Sequence, residues 1–274
     1  FPPMKILSVL ILSVLCSICK SEYVDKLNII GNEHTKMHII ERELHHPIPG
    51  EYDSTLALED RNRIYNLGLF SKVEIEPIDS FYTIFLVETF RFFPAPIVEH
   101  NEAKGWKYGG AIALLNFRGV NQKLASWAST IIGEEINYGL RFSDPWITGD
   151  HVSLSCRASQ SSGNNPFYSY NYKSRGCGIG TGFYKNKYHK FKLSIGLELI
   201  KLDSLSTNFT KMEYEFLKSK LTYHYDTRDI YIDPTNGQHF SISIFPKYEI
   251  RNPDLSYYRI FVHNTWYFLI SERL

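Results

Sequence analysis

The chain is short of the patterns that most enzymes and nucleic-acid binders need. Four cysteines and ten histidines are spread over 274 residues, and none falls at zinc-ligand spacing. There is no phosphate-cradling glycine loop and no nucleophile elbow. The 30 lysines and arginines balance 29 aspartates and glutamates, so no net field draws the protein to nucleic acid or an anionic surface. No apolar run is long enough to cross a bilayer as a helix, which excludes a helical membrane protein. What is plentiful is aromatic: 19 Tyr and 18 Phe. With 43% hydrophobic residues and a mean hydropathy of only -0.24, the composition fits strands that are apolar on one side.

The one apolar run, Ile6 to Leu15, follows Met4-Lys5 and gives way to small residues around Ser17, Cys19 and Ser21. A positive start, a short apolar core and a small-residue exit predict a secretory signal peptide over residues 1–21, counting Phe1-Pro2-Pro3 ahead of the Met. Two cysteines leave with that leader. Cys156 and Cys177 remain on neighbouring expected strands, either paired in an oxidising compartment or standing apart as lipid-facing residues. The second reading is favoured, because Val152, Leu154 and Ala158 share a face with Cys156, as Ile179 and Phe183 do with Cys177.

Residues 22–90 predict a small α+β domain of order β-α-α-β-β. A strand through Leu27 to Ile30 turns at Gly31, and Thr35 caps a helix with Met37, Ile40 and Leu44 on one face, ended by Pro47 and Gly50. His45-His46 reads as its exposed end. A second helix starts at Asp53, buries Ala57, Ile64 and Leu67, and stops at Gly68. Val73 and Ile75 then alternate with Lys72, Glu74 and Glu76, and Tyr82 to Val87 makes an apolar partner strand. Helices can cover only one face of so small a sheet, which leaves an edge at Val73, Glu74, Ile75 and Glu76. Two readings of that edge stay open: capture of another chain by backbone pairing, or an edge merely protected by its charges.

Residues 91–104 read as a linker, and from Gly105 the period is two. Ile136, Tyr138, Leu140 and Phe142 oppose Glu135, Asn137, Arg141 and Ser143. Phe191, Leu193, Ile195, Leu197 and Leu199 oppose Lys190, Lys192, Ser194 and Glu198; Leu217, Leu221, Tyr223 and Tyr225 oppose Lys218, Lys220, Thr222 and His224. Tyr258, Ile260, Val262, Trp266, Phe268 and Ile270 line one side of the last strand. Segments of about ten residues suit tilted strands crossing an outer membrane. A soluble β-sandwich also alternates, but the strands are long, and Tyr168, Tyr170, Tyr172, Tyr184 and Tyr188 crowd their ends as an interfacial girdle would. An antiparallel transmembrane β-barrel over 105–274 is therefore expected.

Several of these residues also carry a resemblance. Gly31-Asn32, Thr35, Ile40 with Glu41-Arg42-Glu43, Gly50, Tyr52-Asp53, Arg63-Ile64-Tyr65, Leu67-Gly68, Phe70 and Val73 together resemble a polypeptide-transport-associated (POTRA) domain. Gly109-Gly110 with Asn116-Phe117-Arg118-Gly119 is similar to the first barrel strand and turn of the BamA/TamA family of outer-membrane assembly factors. Phe142-Ser143-Asp144-Pro145-Trp146-Ile147 with Gly149 resembles that family's early hairpin, and Asp226, Arg228, Asp229, Pro234 and Gly237 match its mid-barrel loop motif. Asp226, Arg228 and Asp229 could be taken for a catalytic cluster; with no nucleophile or metal-ligand set beside them, a charge-paired loop anchor is favoured.

The resemblance implies a factor in the bacterial outer membrane with its POTRA domain in the periplasm, working without cofactor, metal or catalytic residue. Its implied partners are unfolded outer-membrane proteins, outer-membrane lipid and accessory periplasmic lipoproteins, with no nucleic acid. The edge at Val73 to Glu76 would receive a client strand. The first barrel strand, Lys107 to Phe117, would part from the last to template insertion, weakened by Gly105, Gly109 and Gly110. A two-partner-type secretion pore is the alternative, and a surface enzyme carried on a similar barrel is disfavoured because no hydrolase domain precedes. Relatives close with about sixteen strands, whereas 105–274 hold roughly eight or nine, so part of a longer protein is expected. Asn208-Phe209-Thr210 is a glycosylation sequon of little meaning in a bacterium.

Overall fold

The computed structural model describes residues 22–133, 135–148, 151–165, 167, 170–186, 188–204 and 212–269. The expected leader, Tyr168, Gly149, Ile270 and the Asn208 sequon lie outside them. The chain divides into two compact units between Thr89 and Phe90.

The first unit holds β1 (Tyr23–Val24), β2 (Lys26–Ile30), α1 (Met37–Glu41), β3 (Gly50–Glu51), α2 (Ser54–Asn66), β4 (Phe70–Ile78) and β5 (Phe81–Glu88). β1 pairs with β3, a small ribbon that no pattern announced. The main sheet has the order β2-β5-β4, with β2 parallel and β4 antiparallel to β5. Because β5 is central, Tyr82, Thr83, Ile84 and Leu86 are all buried. Ile39 and Ile40 of α1, Ala57 and Ile64 of α2, and Val73 complete the core. Each buried Val, Ile or Leu among them stabilises the fold by about 1.5–3 kcal/mol.

Asp53 caps α2, accepting from the N–H groups of Thr55 at 2.8 Å and Leu56 at 3.3 Å. Gly68 ends it with φ +69. α1 departs from expectation. Lys36, not Thr35, is its N-cap, and no side chain caps it. The Thr35 and His34 N–H groups instead donate to Glu88 Oε1, at 2.7 and 3.1 Å. α1 lasts one turn and ends well before Pro47; Met37 is exposed and Leu44 lies outside it. His46 is buried rather than exposed. Its Nε2 accepts from Asp53 N–H at 2.9 Å, and with His45 it donates backbone N–H to Asp60. The fully buried Asp60 also accepts from Tyr82 Oη at 3.0 Å and pairs with Arg63. Burial, then the Asp60 charge, pushes the Tyr82 hydroxyl well above the ordinary phenol range.

The second unit is an antiparallel meander of ten strands: β6 (Phe92–Asn101), β7 (Gly105–Phe117), β8 (Gln122–Ile131), β9 (Glu135–Asp144), β10 (Val152–Asn165), β11 (Tyr170–Tyr184), β12 (His189–Ser204), β13 (Met212–Asp226), β14 (Gly237–Glu249) and β15 (Tyr257–Tyr267). Each pairs with its chain neighbours, and β6 and β15 are the edges, so the sheet is open among the described residues. The stretch 91–104 is thus not a linker: β6 fills most of it. Pro94 and Pro96 fit there because an edge strand tolerates proline. Strands β10 to β13 run 14 to 16 residues, longer than a bilayer crossing needs.

The register confirms the two-residue period. Leu140, Ala158, Cys177, Leu197 and Leu217 stand in one cross-strand row on the apolar face. Gly139, Ser159, Gly176, Glu198 and Phe216 form the neighbouring row on the polar face. Both cysteines are free and lie on the apolar face, Cys156 opposite Ile179 and Cys177 opposite Ala158. The tyrosines fare differently. Tyr170, Tyr172 and Tyr184 share the parity of Gly176, so they belong to the polar face and form no lipid-facing girdle. Lys190 Nζ donates to Tyr184 Oη at 2.7 Å there.

Candidate functional site

The edge expected at Val73 to Glu76 is an edge: β4 pairs with β5 on one side and with no described strand on the other. Its phase follows from the turn. Ile78 faces Phe81 across a two-residue loop, Asp79 and Ser80, whose φ values of 47 and 66 mark a type I′ hairpin. The pair closing such a loop exchanges hydrogen bonds, so alternate pairs do not, and Val73, Ile75 and Pro77 turn their backbone groups away from β5. An independent contact agrees, because Arg61 Nε reaches from α2 to the Val73 carbonyl at 3.2 Å. The free side of β4 therefore offers the N–H groups of Val73 and Ile75 and the carbonyls of Ile75 and Pro77, with the Val73 carbonyl already covered. Glu74 and Glu76 point their backbone groups at β5 and their side chains to solvent, where Lys72 pairs with Glu74 at 2.8 Å.

The expected seam strand is displaced by one. β7, which carries Gly109, Gly110, Asn116 and Phe117, is paired on both sides, with β6 and β8, so it cannot be the parting edge. Gly109 does not loosen it either. A Cβ there would come within 2.2 Å of the Ala128 carbonyl, so the glycine permits close strand packing. Asn116 and Phe117 close β7 at its turn into β8: Phe117 pairs with Gln122, Asn116 is buried at φ 52, and its Oδ1 accepts from Asn121 N–H at 2.8 Å. Of the described strands, the free edge at this end of the sheet is β6. The signal that could have shown it is the proline spacing: Pro94 and Pro96 sit two apart, on one side of a strand.

The β13–β14 loop brings the rest of the motif together. Arg228 clamps Asp226 through Nε at 2.8 Å and Nη2 at 2.6 Å, and its Nη1 donates to the Tyr231 carbonyl at 3.2 Å. Asp229 accepts from Thr235 Oγ1 at 2.6 Å and from the Thr235 and Asn236 N–H groups. Burial pushes the Asp229 carboxyl up, but these bonds and the Ile230 N–H outweigh it and hold it below its ordinary value. Gly237 at φ +112 lies so near the Thr227 carbonyl that a Cβ would stand 2.4 Å away. Pro234 lies in the same loop. Both carboxylates are thus consumed within the loop. Among the described residues no group of His, Cys, Asp or Glu could hold a metal, and no helix is long and apolar enough to cross a membrane.

With the geometry in place, comparison with known proteins is informative. The Omp85 superfamily domain matches residues 116–273. BamA from Haemophilus ducreyi, in a crystal structure lacking POTRA domains 1-3, superposes with a TM-score of 0.61 at 19% identity, over 87% of this chain and 50% of that one. CdiB from Escherichia coli and CdiB from Acinetobacter baumannii each give 0.49, at 10% and 13% identity. They cover 83% of this chain and 45% and 46% of theirs. The first likeness is one of fold, and the other two are too loose to support an argument. The chain spans about half the length of the BamA chain it matches. No protein of curated function matches it in sequence.

Proposed function

Because this chain belongs to the Omp85 superfamily, whose domain covers residues 116–273, we propose that it works in the bacterial outer membrane as an assembly factor for β-barrel proteins. The first unit is read as a POTRA domain in the periplasm. Its strand, two helices and two strands, with β2 parallel to the central β5, support that reading. The observation that carries the function is the phase of β4: Val73 and Ile75 present backbone groups outward on an edge that can be extended by a client strand. Such pairing holds an unfolded chain without reading much of its sequence. The apolar face carrying Leu193, Ile195 and Leu197 meets lipid, and β6 is the strand beside which the client inserts.

Photocrosslinking of an unfolded client to β4 tests this. Ile75→Pro deletes an outward donor without touching the β5 ladder and should abolish the crosslink, while Glu74→Lys should leave it nearly unchanged. Equal damage from both would indicate charge recognition and remove the edge-pairing mechanism. A client recovered outside the vesicle rather than folded in its membrane would make the protein a secretion pore.

A further inference from the structure

The phase of β6 is fixed by one bond. Leu115 N–H donates to the Arg91 carbonyl at 2.7 Å, so odd-numbered residues of β6 face β7 and even-numbered ones face away. Pro94 and Pro96 are even-numbered, opposite Ile112 and Gly110. Their ring nitrogens therefore lie on the free side, and the ladder to β7 loses nothing. The free side loses two donors in succession. It presents carbonyls at Phe92, Pro94, Pro96, Val98 and His100 but N–H groups only at Phe92, Val98 and His100.

We propose that Pro94 and Pro96 make β6 a strand-exchange edge, built to hold the β-strand of an unfolded client at its two ends and to let it go. This rests on the reading of β6 as the insertion strand. A client strand beside β6 can donate to the Pro94 and Pro96 carbonyls, but its own carbonyls at that level meet proline ring carbons. In an apolar layer an unmet carbonyl is costly, so the pairing is weak in its middle and tight at its ends. A permanent neighbour would be better served by alanine, which restores both bonds at no cost to β7. The chemistry fits a partner that arrives as an extended chain, is aligned by the pairs at Phe92 and Val98, and must later part.

The test uses the full-length protein in lipid vesicles, with a photocrosslinker at Val98 and a chase that follows how long a client strand stays beside β6. Pro94→Ala with Pro96→Ala should leave the initial crosslink yield unchanged and lengthen the lifetime of the complex by about tenfold or more, as two added backbone bonds would. Pro246→Ala, in the interior strand β14, should change neither. An unchanged lifetime in the double variant, with the crosslink still formed, overturns the proposal and leaves the prolines as mere protection against aggregation. Failure of the wild type to crosslink at β6 removes the insertion-strand reading, and the proposal with it. If the double variant does not migrate as a folded barrel, each single variant should still show a lengthened lifetime, and two unchanged lifetimes overturn the proposal.

Discussion

The two units solve opposite solvent problems with the same backbone geometry. In the first, a three-stranded sheet buries Tyr82, Ile84 and Leu86 under two short helices, an arrangement stable in water. In the second, only Ile131 and Phe216 are buried among the described apolar side chains, while Leu140, Ile179, Ile195, Leu197 and Leu221 stand exposed on one face of ten strands. Monomeric soluble domains rarely leave so continuous an apolar face bare. The lesson is that the alternation was read correctly in both places, yet it means a core in one and a lipid contact in the other. What separates them is whether any element covers the face.

That contrast can be broken at several points. The largest effect is expected in the first core: Ile84→Ala should cost about 2–5 kcal/mol, measured by denaturant unfolding of the first unit, and the cost should be the same with or without lipid. In the second unit, Ile195→Arg should cost about 2–4 kcal/mol near the bilayer midplane, and Ser194→Arg far less, when the full-length protein folds into vesicles. Similar penalties at these adjacent positions would mean protein interior on both faces, and the membrane reading would fall. A smaller effect concerns Glu88. Burial pushes its carboxyl up, but the Thr35 and His34 bonds outweigh this and hold it below the ordinary value. A depressed carboxylate gives stability that is complete above its unfolded pKa and is lost as pH falls through the folded one. Acid titration of the first unit should show that loss, and Glu88→Gln should flatten it at a cost of about 1 kcal/mol. Smallest of all, reductant should leave the second unit's stability unchanged, since Cys156 and Cys177 are free.

Much of this was legible beforehand because it depends on local periodicity. α2 was found from Asp53, Ala57, Ile64 and Gly68, a cap, a face and a stop. The strands from Gly105 onward followed from parity. The misses have physical causes. Thr35 does not cap α1 because its N–H and its side chain both bond Glu88, which is distant in sequence. β6 was missed because Pro94 and Pro96 oppose a strand wherever both edges are paired, and nothing local says that one edge is free. That omission shifted the seam onto β7. The tyrosines were grouped by position along the chain, although the parity of Tyr172 and Tyr184 already set them opposite Phe183. The buried ring of His46 could not be read from a sequence in which its partners are Asp53, Asp60 and Tyr82.

The hairpin loop of Asp79 and Ser80 has a consequence for how this sequence can drift over generations. Its side chains are exposed, but positive φ at both positions favours Gly, Asn and Asp as replacements. Its length is another matter, since the outward set of Val73, Ile75 and Pro77 is counted back from it. An inserted codon that moved the closing pair by one residue would hand the free side to Glu74 and Glu76. Substitution in this turn should therefore run mainly among Gly, Asn and Asp in descendants of the gene, and a change of length that moves the closing pair should be rare.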